Sequence, residues 1–71
     1  SDLVDIKSEI ERLTKEKTKY VNSTMGIVSR LSNKEFVKNA PGHIVVADEQ
    51  KLKELKIQIS KIEEQIKNFS N

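Results

Sequence analysis

Over residues 17–47 of this chain, Lys17, Lys19, Arg30, Lys34 and Lys38 stand against one acid, Glu35. That stretch carries a net charge of +4 in a chain whose total is +2. The first 16 residues are net −2, and residues 48–71 are neutral. Cations gathered on one part of a surface attract phosphates. Arg30, Lys34 and Lys38 are spaced to reach one phosphate backbone, Lys19 lies further back, and His43 adds a donor just beyond Lys38. A few such contacts give weak, salt-sensitive, sequence-blind affinity, which suits an auxiliary arm better than a free-standing tight binder. The plainer reading of the same residues is a solvated charged surface.

Other chemistry finds little support. There is no Gly-rich phosphate loop, no G-x-S-x-G and no H-E-x-x-H. Acid pairs such as Glu63 and Glu64 belong to a solvated helix face, with no cleft to desolvate them. There is no Cys, which excludes disulfides and thiolate zinc sites. The single His, His43, has no companion ligands, so no metal site and no cofactor are expected. Apolar runs are too short to span a membrane, and no secretory signal is visible. The opening Ser suits an excised or processed piece, and a cytoplasmic setting is the default expectation.

The elements that must position the cations follow from composition and periodicity. At 71 residues, 35% apolar and 34% charged, the chain suits a thin, helix-rich object with a narrow apolar seam. Leu3, Ile6, Ile10, Leu13, Lys17, Tyr20, Thr24, Ile27 and Leu31 follow alternating steps of three and four, a heptad seam. Leu52, Leu55, Ile59, Ile62, Ile66 and Phe69 repeat it, and the same register runs back through Asp48 to Val45. This predicts an all-α fold in one domain spanning 1–71, an antiparallel two-helix coiled-coil hairpin with a short helical connector at its tip. Helix 1 is expected at about 3–31, capped by Asp2 or Ser1, and continuing through the poor helix formers Asn22–Gly26. Helix 2 is expected at about 42–69, opened by Pro41 or Gly42. Arms of equal length would place Leu3 near Phe69, Leu31 near Ile44 or Val45, and Lys17 and Tyr20 opposite Lys53–Lys56.

The connector is patterned rather than random. Ser32 followed by Glu35 reads as a capping box, and predicts a helix over 33–39. Its Phe36 and Val37 would turn inward against Met25, Val28, Leu31, Ile44 and Val45 as a plug. Lys34 and Lys38, one turn apart, would point out. An exposed docking patch at Phe36 and Val37, or oligomerisation through the long seam, are the other readings. The Pro41-Gly42 punctuation argues against one unbroken helix.

These residues resemble a known family. Leu31-Ser32-Asn33, Phe36-Val37 and Ala40-Pro41 reproduce an L-S-N-x-x-F-V-x-x-A-P core. Leu3-Val4-Asp5-Ile6 matches the start of the helix before it, and Ile44-Val45 opens the heptad helix after it. Together they resemble the C-terminal arm of bacterial valyl-tRNA synthetases over essentially the whole chain. The connector string is the specific part, because heptads alone identify nothing.

The resemblance implies an antiparallel helical arm without an active site or cofactor, attached to an ATP-dependent enzyme that joins valine to its tRNA. Its implied partners are that tRNA, at the outer corner where the D and T loops meet, and the remainder of the synthetase. Ser32, Asn33, Phe36, Val37, Ala40 and Pro41 match the motif and shape the tip. Lys34 and Lys38 fall at its variable positions, so their RNA contacts rest on charge. The chain departs from the family pattern at Lys17 and Thr24, where apolar seam residues are usual. It departs again at Gly42 and His43, where acids are common, which leaves the tip more basic. The alternatives are the nucleic-acid-binding C-terminal hairpin of ATP-binding-cassette F-type translation ATPases, and a purely structural coiled-coil spacer.

Overall fold

The computed structural model describes residues 2–70, with the side chain of residue 70 left aside; Ser1, one of the two expected caps, lies outside the described residues. The element order is α1 (Leu3–Ser32), α2 (Lys34–Asn39) and α3 (Gly42–Ser70). The long helices pack against each other as an antiparallel hairpin, and α2 sits on α1 at the closed end. No strand occurs among the described residues. The molecule is a rod of 53 × 14 × 14 Å between Cα atoms.

α1 is capped at its start, and hydroxyls in its interior bond back to carbonyls of the same helix. Asp2 is extended (φ −96°, ψ 179°), and its carboxylate accepts the Asp5 N–H at 3.0 Å. The stretch around Asn22–Gly26 stays helical. The Ser23 hydroxyl donates to the Lys19 carbonyl at 3.1 Å and the Thr24 hydroxyl to the Val21 carbonyl at 2.6 Å. These bonds satisfy the hydroxyls, so the half-buried Thr24 leaves no orphaned polar atom on the seam.

The core is narrow because each long helix has one long neighbour. Leu13 and Ile27 of α1 and Leu55 and Ile62 of α3 are buried, all on the predicted seam. A fully buried Leu or Ile contributes about 1.5–3 kcal/mol. Ile6, Ile10, Tyr20, Leu31, Val45, Leu52, Ile59 and Ile66 are half-buried beside them. Lys17 interrupts the seam but reaches across it, with Nζ 3.1 Å from Glu63 Oε2.

The register differs from the expectation. Arg30 pairs with Asp48 and Lys17 with Glu63. Thus Lys17 meets a residue seven to ten positions beyond Lys53–Lys56. Phe69 shares a shallow groove with Asp5, Ile6 and Glu9, while Leu3 projects past the pairing and is largely exposed. The cause lies at the tip. In the chain α2 comes between the long helices, and α3 begins beyond the end of α1 rather than flush with it, with Asp48 and not Gly42 opposite Arg30.

Candidate nucleic-acid interface

The tip is built on Asn33. This residue leaves the helical region (φ −85°, ψ 107°), ending α1 and capping α2 at once. Its N–H donates to the Arg30 carbonyl at 3.1 Å. Its side-chain oxygen accepts from the N–H groups of Glu35 at 3.0 Å and Phe36 at 3.2 Å, and its carbonyl accepts from Val37 at 3.0 Å. The cap is therefore Asn33 and not Ser32, which remains the last residue of α1. A Ser32 cap would require α1 to end one residue earlier.

The second corner is equally tight. The Ala40 N–H donates to the Phe36 carbonyl at 2.8 Å, which closes α2. The Pro41 carbonyl accepts from Ile44 at 3.0 Å and Val45 at 3.4 Å, which opens α3. Pro41 precedes the helix and gives up no N–H that the helix needs. No acid lies in the first turn of α3, so His43 joins a helix start whose partial positive charge no carboxylate offsets.

The expected inward pair divides. Phe36 of α2 and Ala40, the residue that ends it, are half-buried. Val37 is turned about 100° from Phe36 and is 41% exposed. Met25, Val28 and Ile44 are exposed as well, so of the predicted plug only Phe36, Leu31 and Val45 are half-buried. A six-residue helix presents one narrow face, which Phe36 occupies.

The candidate contact residues fall into four situations. Lys34 and Lys38 are exposed on α2, and neither is in an ion pair among the described residues. The nearby acid Glu35 is engaged instead by the Asn39 amide at 3.3 Å. His43 is exposed at the start of α3. Lys19 is exposed and set back, eleven residues before Arg30, about 16 Å along the axis at the rise of an α-helix. Eleven residues are close to three whole turns, so Lys19 points to the same side as Arg30.

Arg30 is already partnered. Its Nε donates to Asp48 Oδ2 at 2.8 Å and its Nη2 to Asp48 Oδ1 at 2.9 Å, a two-pronged bond between α1 and α3. The bond, reinforced by opposite charge, holds the Asp48 carboxyl below the usual aspartate range and the guanidinium above its own. The Asp48 side chain is 14% exposed and that of Arg30 47%. Sequence reasoning missed this link. Asp48 was visible only as a polar break in the seam, and nothing local signals its partner eighteen residues away.

The arrangement offers charge–charge and hydrogen-bond contacts with an anionic polymer. Among the described residues no group of His, Asp or Glu is placed to hold a metal ion, and no helix is long and apolar enough to cross a membrane. A second groove, lined by Lys7, Ile10, Glu11, Thr14 and Lys15, lies toward the open end of α1, away from the cationic tip.

Comparison with known proteins agrees with this picture. Residues 5–70 match the family model described as the valyl tRNA synthetase tRNA binding arm. The valine--tRNA ligase of Clostridium acetobutylicum is 42% identical over 65 residues, 92% of this chain and 7% of that protein. That of Buchnera aphidicola is 41% identical over 69 residues, covering 97% and 7%. That of Fervidobacterium nodosum is 36% identical over 67 residues, covering 94% and 8%. The chain thus spans less than a tenth of the length of these relatives. No solved structure matches it significantly. With nearly its whole length matched, and the matched helices folded into the hairpin described above, this chain belongs to the valyl-tRNA synthetase tRNA-binding-arm family.

Proposed function

We propose that the chain is the arm with which a valine--tRNA ligase steadies its tRNA, touching the outer corner where the D and T loops meet. The observation that carries this reading is the placement of Lys34 and Lys38. Both are exposed and without an acidic partner among the described residues, on a short helix pinned at both ends, at the far end of a 53 Å rod. A protruding, rigid, cationic end meets the phosphate backbone of a folded RNA through its shape and charge. Arg30 and His43 flank that end, and Lys19 extends the track along α1. Binding valine, ATP and the reacting end of the tRNA falls to the rest of the ligase. The arm holds the bound tRNA in place and so lowers its KM. The relatives favour this reading over a hairpin from a translation ATPase.

The test is a titration of the chain's backbone amide NMR signals with unmodified valine tRNA at low and moderate salt. The expected shifts concentrate between Arg30 and His43 and fade as salt rises. Well-dispersed helical signals that do not move at either salt would overturn the proposal and leave a structural spacer.

A further inference from the structure

We infer that Asp48 is a positioning residue for the RNA interface: it grips one edge of the Arg30 guanidinium against α3 so that the opposite edge, at Nη1, is presented to a tRNA phosphate. The inference rests on the tRNA-binding reading above and adds to it a residue whose own charge opposes RNA.

An arginine carries five N–H donors in a planar fork. Nε and Nη2 each spend one on Asp48. Nη1 makes no hydrogen bond among the described residues, and 47% of the side chain is open to solvent. The carboxylate behind it is at 14% exposure, on the seam of α3, where the backbone of a long helix holds it. The guanidinium is thus fixed in direction before any ligand arrives, and little of its rotamer freedom is left to lose on binding. Lys34 and Lys38 lack such a buttress. They supply charge, and Arg30 supplies a defined donor edge.

A latch serving stability alone would explain the same bond, and the sign of one effect separates the two. Asp48 lies close to the cationic tip, so its negative charge repels RNA. By charge alone, removing it strengthens tRNA binding. If Asp48 positions Arg30, removing it weakens binding instead.

The experiment measures binding of unmodified valine tRNA to the chain over a salt series, with helicity and Tm followed by circular dichroism. Asp48→Asn is compared with Arg30→Ala, Arg30→Lys and the double variant Arg30→Ala/Asp48→Asn. Asp48→Leu is the second probe, because an apolar residue suits a seam position and keeps the hairpin folded. The expected result is a loss of about five-fold in affinity for Asp48→Asn and Asp48→Leu, the order of one exposed charge-assisted contact. The salt slope should also fall by about 0.7–0.9. Arg30→Lys should not restore binding, since an ammonium cannot be held by two prongs. In the Arg30→Ala background, Asp48→Asn should no longer weaken binding, because its effect acts through Arg30. Folded Asp48 variants that bind tRNA as well as the parent chain, or better, would overturn the inference and leave a latch. A parent chain that binds no tRNA at low salt would instead overturn the function on which it rests.

Discussion

Arg30 and Asp48 are eighteen residues apart in the chain and joined by two hydrogen bonds of 2.8 and 2.9 Å across the hairpin. The pair ties the long helices together at the end where α2 enters. It also places one of the tip's cations under the control of an acid on the other helix.

This pair makes stability depend on acid. The Asp48 carboxyl titrates lower in the folded chain than in the unfolded one, because Arg30 bonds to its charged form. Its contribution is complete above the unfolded aspartate value of about 3.9 and is lost as pH falls through the lower, folded value. Glu9, held down by its hydrogen bond to Arg12, acts with the same sign. Tm followed by circular dichroism should be level from about pH 5 to 7 and drop below that range. Asp48→Asn should make the drop shallower. An unchanged acid limb in that variant would show that Asp48 takes no part in it.

Asn33→Ala removes the acceptor that both Glu35 and Phe36 use. Loss of such a cap costs about 1 kcal/mol, which lowers the Tm of a domain this size by about 4–8 °C. The amides of Glu35 and Phe36 should lose protection from hydrogen exchange while the middle of α1 keeps it. Equal loss along all three helices would mean that the cap supports the whole hairpin and not the tip.

Gly26→Ala should act in the opposite direction. A Cβ at Gly26 meets no neighbour within 4 Å, and the residue does not have a positive φ. Alanine in a helix interior is favoured over glycine by about 1 kcal/mol. A rise in urea midpoint with an unchanged m-value is the expected result. A fall would mean that the seam around Thr24 and Ile27 needs the flexibility.

Neutralising Lys34 and Lys38 together, as Lys34→Gln/Lys38→Gln, tests their proposed role directly. Two lost phosphate contacts should lower the salt slope of tRNA binding by about 1.4–1.8. In a ligase carrying this arm, the KM for tRNA should rise while valine activation by ATP stays the same. A variant that loses activation would place these lysines in a different role.

The seam shows why the helices were legible in the sequence and their register was not. Leu13, Ile27, Leu55 and Ile62 fall on the heptad positions and are buried, because burial selects apolar residues at the helical period. Sliding one helix by a whole heptad returns every seam residue to a seam position, so periodicity cannot tell Lys53–Lys56 from Glu63 as the neighbours of Lys17. The insertion of α2 decides between them. The same blindness hid the bond between Arg30 and Asp48, which exists only once the register is set. At the connector, Ser32 and Asn33 are both good caps. The choice depends on where α1 stops, a matter of one residue that local propensity does not resolve. Phe36 and Val37 look alike as apolar neighbours, yet a helix with one packed face half-buries the first and exposes the second.

Two continuous helices, tied across their seam and closed by corners without slack, behave as a stiff lever. A small rotation at the open end, where Leu3 and Phe69 lie, sweeps the basic tip through a much larger arc. Under the proposed function, a modest turn at the open end is enough to move the tip onto or off its RNA.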